Sequence, residues 1–425
     1  MAKTRPDKKK GKKRDKSILN GIAPSPSKSH NTKPEESPET LLAQATELVQ
    51  TSRPDEALPL AQRALNLLQT SLATDTTAQP ESDSDSPSLL PILTLIAEVQ
   101  LELGDIDSAR EHFMLAAELD PDGAIPEDEG GGAEKFLWLA QLAEEGGAES
   151  VGWFERGASV LRNDIAALEE TQSEQLDKPA AELIQRFLDE KKRRLANALC
   201  GVAEVYMTDL SWEADAEQRC ESLVTEAVML TPDSAEALQT LASVRISQVR
   251  AEEARGALKS SLALWTDLEP DDARVPEFPS RVSLARLLME TELEEEAIKV
   301  LERLVMEDDQ SVEAWYLGGW AFYLLGGRLR DGGKKKGGNE EEWKSLWDSS
   351  RDWLQNALRL FDLLDYEDER LQEHAVELVR ELDGVLGERK EDEEEEEEGE
   401  GWEDEDDDEE DGTESEAGDE EMQVS

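Results

Sequence analysis

Acidic and aromatic side chains recur at helical spacing through this chain, and they are the residues able to do chemistry. They are Glu98 and Glu102, Trp138, Glu204, Glu236 and Gln239, Arg286 and Glu290, then Tyr316, Trp320 and Tyr323. Carboxylates accept charge-assisted hydrogen bonds from Arg and Lys, and ring faces attract the same cations. The set therefore suits non-covalent capture of an extended basic segment. Bond-making chemistry lacks its parts. His30, His112 and His374 are far apart in sequence, and Cys200 and Cys220 are the only thiols. Clustered Cys/His at metal-ligand spacing, a Gly-x-Ser-x-Gly elbow, a phosphate loop and a dinucleotide fingerprint are all missing, so neither an enzyme nor a metal or other cofactor is expected.

The elements that must position these residues are clearest between Pro91 and Pro121. Leu93, Ile96, Ala97, Gln100 and Leu101 form one apolar helix face, Gly104-Asp105 breaks the helix, and Ala109, Phe113 and Ala116 form a second face. Pro121 closes the pair, because proline lacks the N–H that would continue the ladder. Small residues at Ala97 and Ala109 allow close approach, with Phe113 filling the space above. This is the pattern of a tetratricopeptide (TPR) repeat, a helix–turn–helix of about 34 residues that must stack on copies of itself.

Copies follow. The expected fold is all-α, a right-handed TPR solenoid of about seven helical hairpins over 38–387 with a C-terminal capping helix. Repeats are expected at 38–71, 91–121, from 135, around Leu199–Pro232, at 235–268, at 278–311 and from Trp315. Residues 73–88 and 122–133 read as linkers, 164–197 as a long helical connection, and 326–338 as a flexible Gly/Lys insertion that delays the last hairpin's second helix until about Trp353. Residues 368–386 read as the capping helix, which such arrays need. First helices of TPR hairpins line the concave groove. Aligning the repeats puts the acids and rings named above on that face.

Charge is uneven along the 425 residues, whose formal net is −56. Residues 1–37 are expected to be a disordered basic tail; the first sixteen hold nine Lys/Arg against two Asp. Within it Lys8, Lys9, Lys10, Lys12, Lys13 and Arg14 read as a nuclear-import signal for an import receptor. Residues 388–425 read as a disordered acidic tail, where 24 acids stand against Arg389 and Lys390. So acidic a chain repels nucleic acid and attracts basic partners. No apolar run approaches the 18 residues of a membrane span, and the two cysteines point to a reducing compartment. A chaperone-tail clamp needs Lys and Asn on first helices, and this face is acidic.

The run Phe136-Leu137-Trp138-Leu139-Ala140-Gln141-Leu142 with its Gly-Gly turn, the last repeat opening Trp315-Tyr316-Leu317-Gly318-Gly319-Trp320, and the acidic C-terminus together resemble the dedicated assembly chaperones of large ribosomal subunit protein four. The resemblance implies capture of a newly made basic ribosomal protein, escort from cytoplasm to nucleus, and release at the pre-ribosome, with no catalytic residues. The alternative is a TPR-type histone chaperone. There an acidic block interrupts the repeats, whereas here the block is terminal and the interruption is basic.

Overall fold

The computed structural model describes residues 37–75, 88–173, 177–336 and 340–387. Among them are fifteen α-helices, one short 3-10 helix and no strand. The chain divides into two compact units between His112 and Phe113.

In the first unit, α1 (Pro38–Gln50) and α2 (Pro54–Asp75) form a hairpin, and α3 (Leu90–Glu102) packs against both. Ser37 starts α1, its Oγ accepting from Thr40 N at 3.2 Å, with Pro38 ready for the first turn. Leu41, Ala45, Ala57, Ala61, Ala64 and Leu68 meet Ile92, Ile96 and Val99 in one core. Alanines on α2 bring the helix axes close, and longer side chains fill the flanks. Gly104, at φ +76, ends α3, a conformation costly for residues with a Cβ. Then α4 (Ile106–Leu119) begins with Asp105 Oδ1 accepting from Ser108 N.

In the second unit Phe113 and Ala116 are fully buried. Burying a phenylalanine contributes about 2–3 kcal/mol. Hairpins follow as α5 (Glu134–Gln141) with α6 (Gly147–Gln172), α7 (Lys178–Met207) with α8 (Ala216–Leu230), α9 (Ala235–Ser247) with α10 (Ala251–Ala263), α11 (Phe278–Glu290) with α12 (Glu294–Glu307), and α13 (Val312–Lys336) with α14 (Glu340–Leu364). The last helix, α15 (Glu369–Leu386), packs on α14 and α13. First helices stand beside one another: α7 meets α9, α9 meets α11, and α11 meets α13.

Three expected segments differ from what folds. The connection 164–197 is two helices, broken after Gln172 and restarted by Asp177, whose side chain accepts from Ala180 N. The 122–133 linker is built around a buried ion pair. Lys135 Nζ lies 2.7 Å from Asp120 Oδ2 and 2.7 Å from Gly132 O, while Asp120 Oδ1 accepts from Ala124 N and Ile125 N. The 326–338 insertion is no loop over its described residues: α13 continues to Lys336, and α14 starts at Glu340 rather than near Trp353. Glycines just before it and at its start answer to packing. A Cβ at Gly318 would meet Trp353 at 2.1 Å, one at Gly319 Leu354 at 2.6 Å, and one at Gly326 Trp347 at 2.4 Å. Their absence lets α14 lie against α13 along both helices, which outweighs the weak helix propensity of glycine.

Candidate partner-binding site

The first-helix face of the second unit runs across α7, α9, α11 and α13 to α15. At its α7–α9 end, Glu204 and Glu236 are exposed acids flanking the same side chains, Cys200 and Thr240. The Glu204 carboxyl reaches solvent at one edge but lies among packed helices. Burial holds it above the ordinary carboxylate range, partly offset by its hydrogen bond with Thr240. Burial also pushes the Cys200 thiol up to about 11; Thr240 opposes this, and the two acids add to it. Such a thiol is inert. Gln239 is buried, and its Nε2 meets no acceptor among the described residues.

The α11–α13–α15 end is different. A cavity of about 540 Å³ lies between these helices, floored by Met289, Leu317, Trp320, Leu324 and Leu371. Charged groups rim it: Arg286 and Glu290 from α11, Asp368 and Arg370 from the start of α15. Arg286 is paired with Glu313, while Glu290 is exposed. The rim carries both signs; over the apolar floor, its acids Glu290 and Asp368 can pair the head of a long cationic side chain whose stem lies in the cavity.

The aromatic residues expected to face a partner are largely engaged inside the fold. Trp138 stacks on Phe113, with ring centroids 6.4 Å apart. The Tyr316 hydroxyl and His374 Nδ1 are hydrogen bonded at 2.7 Å, and Trp320 meets the His374 ring edge-on at 5.2 Å. Tyr323 donates to Glu381 Oε2 at 2.6 Å and stacks on Trp347. Its hydrogen bond to Glu381, reinforced by burial and the carboxylate's charge, pushes its phenol up to about 12. Helix α15 covers one side of this row, and only Tyr316 and Trp320 still line the cavity. The aromatic spacing in α13 was legible; the partner that takes it up lies some fifty residues later.

Glu98 and Glu102 stand on α3 in the first unit, Glu98 half-buried and Glu102 exposed. Asp368, Met289 and Arg370 join the site although helical patterning did not single them out. Asp368 caps α15, its Oδ1 accepting from Arg370 N and Leu371 N. Its place at the cavity follows from where α15 docks. The import cluster Lys8–Arg14 and the acidic C-terminal run lie outside the described residues. Among the described residues no group of three or more His, Cys, Asp or Glu could hold a metal ion, and no helix is long and apolar enough to cross a membrane.

A tetratricopeptide-repeat family model matches residues 90–122, the α3–α4 pair. The chain is 47% identical over 398 residues to a protein of Emericella nidulans described as a probable assembly chaperone of rpl4, covering 92% of each chain. It is 35% identical over 293 residues to a Schizosaccharomyces pombe protein of the same description, covering 68% of this chain and 80% of that one. The solved structure of an assembly chaperone of RpL4 (Acl4, residues 1–338) superposes with a TM-score of 0.62 at 49% identity, over 70% of this chain and 99% of that chain.

Proposed function

Because the chain belongs to the family of assembly chaperones of rpl4, we propose that it is a non-catalytic chaperone that shields a basic segment of that ribosomal protein on its acidic first-helix face. One observation carries this reading. Glu204, Glu236 and Glu290 are exposed on neighbouring first helices, with an apolar, Trp320-floored cavity beside the last of them. An extended basic chain across that face exchanges water for carboxylates at its Arg and Lys heads. A side-chain stem of that chain would enter the cavity. Trp138 and Tyr323 serve mainly by keeping the helices in register. Glu98 and Glu102 extend the acidic character to the first unit.

Escort between cytoplasm and nucleus belongs to the same proposal. The basic cluster Lys8–Arg14 supplies an import receptor with its ligand, and direct nucleic-acid contact is disfavoured by a net charge of −56. At the pre-ribosome, ribosomal RNA competes for the client's basic residues, so release follows from a denser polyanion.

The test is a titration of purified rpl4, or its basic segments, with the full chain and with a Glu204→Lys, Glu236→Lys, Glu290→Lys variant. Binding is expected to weaken by about tenfold or more, since like charges now meet. A folded triple variant that binds with wild-type affinity removes the acidic-face reading. Stoichiometric histones in place of rpl4 after purification from cells at low salt would remove the client.

A further inference from the structure

Helix α13 packs against both α11 and α15, so its Tyr316, Leu317, Trp320 and Leu324 lie between a wall from α11 and a wall from α15. Each wall carries one carboxylate at the cavity, Glu290 on α11 and Asp368 at the start of α15.

Two cations share the rim, but they do not make the cavity an anion site. Arg286 is held by Glu313. Arg370 follows Glu367, Asp368 and Glu369 directly and stands three residues before Glu373. Over residues 286–290, 313–324 and 367–374, six acids stand against these two arginines. The local field therefore favours a positive group entering from outside.

The kind of cation follows from what would surround it. Met289, Leu317, Leu324 and Leu371 offer no strong hydrogen-bond acceptor, and the Tyr316 hydroxyl is engaged with His374. An ammonium is strongly hydrated and needs acceptors for three protons, so this floor suits it poorly. A guanidinium is flat and weakly hydrated, and it stacks on aromatic faces. Tyr316 and Trp320 supply such faces, with centroids 6.0 Å apart and planes tilted by 36°. The chain uses the same contact internally: Arg156 lies over Trp153 at 4.8 Å, Arg219 over Tyr206 at 5.1 Å and Arg303 over Trp265 at 5.3 Å. The acids add a second selection. Asp368 Oδ1 is committed to Arg370 N and Leu371 N, which leaves Oδ2 as the acceptor for an incoming donor. Glu290 is exposed on the opposite wall. A guanidinium carries N–H donors around its whole plane, so one group can serve carboxylates on two walls.

We propose, resting on the client-binding reading of this face, that the cavity is an arginine-selective subsite. One client arginine lays its stem over the apolar floor and its guanidinium against Tyr316 and Trp320, with N–H donors toward Glu290 and Asp368. Lysine at that position is a poor substitute.

Titration calorimetry with the full chain tests this. Each arginine in the bound basic segment of rpl4 is replaced by lysine in turn, which keeps the charge. One replacement is expected to weaken binding about tenfold, and the others about twofold or less. In a Glu290→Gln, Asp368→Asn chain the tenfold step is expected to shrink to about threefold or less, because the partners that select arginine are gone. Asparagine still caps a helix and Glu290 is exposed, so this variant is expected to fold, which circular dichroism checks. A lysine series that stays within about twofold on the wild-type chain overturns the subsite and leaves the acidic face standing. A sensitive arginine whose full step persists in the folded double variant overturns it as well. If rpl4 fails to bind the wild-type chain, the client reading falls and the subsite falls with it.

Discussion

Glu204 shows what a single residue contributes. Its carboxyl titrates above the ordinary 4.5, because burial disfavours the charged form. A raised carboxylate pKa favours the fold while the group is protonated. That contribution is complete below 4.5 and is lost as pH rises through the higher folded value. A client cation beside Glu204 reverses the preference and expels the proton. Client binding is therefore expected to tighten as pH rises from 4.5 through that folded value, and Glu204→Gln to flatten the dependence. Titration calorimetry across that range checks both, and an unchanged pH profile in the variant would separate Glu204 from the client. Glu204, Glu236 and Glu290 were readable in the sequence because an exposed acid at a first-helix position needs no tertiary partner. Tyr316 and Tyr323 were readable as a stripe but not as to what covers it. His374 and Glu381 reach them only after α15 folds back.

At the scale of elements, the α13–α14 hairpin separates propensity from packing. Gly326-Gly327 and Gly332-Gly333 are local signals for a loop, yet the described part of the segment is helical. Where this helix lies against α14 the cause is long-range: Trp353, Leu354 and Trp347 occupy the space that Cβ atoms at Gly318, Gly319 and Gly326 would need, whereas Cβ atoms at Gly327 and Gly332 would meet nothing within 4 Å. Two substitutions in one helix should then act in opposite directions. Gly318→Ala forces its Cβ into the Trp353 ring and is expected to cost about 1–3 kcal/mol. Gly327→Ala meets nothing within 4 Å and is expected to stabilise by about 0.5–1 kcal/mol. Thermal melts of the two variants decide; equal shifts of one sign would mean that close approach of α14 does not govern these positions. The hairpin pattern itself was plain beforehand, since small residues at helix crossings and Pro/Gly punctuation act within about 34 residues.

For the whole molecule, charge sets two salt effects of opposite sign. At a net charge of −56, self-repulsion works against the folded array, so added salt is expected to raise its melting temperature. The same salt is expected to weaken client binding, because ion pairs on an exposed face are screened over about 8 Å at physiological strength. Melting curves and affinities measured in one salt series check the pair. Affinity that does not fall with salt would assign the client to apolar contacts such as the Trp320 cavity.

The sequence alone determined the helical class, the repeat unit, the acidic character of the first-helix face and the resemblance that the relatives bear out. Periodicity, turn residues and charge are local properties, legible without knowing what touches what. Tertiary structure decided the rest. It made the 122–133 segment a turn held by Asp120 and Lys135, carried α13 through its glycines, and buried Gln239. It also brought the start of α15 to the wall of a cavity that α11 and α13 leave open. Each of these depends on a side chain supplied from a distant segment, and such a contact has no signature at either end until the chain has folded.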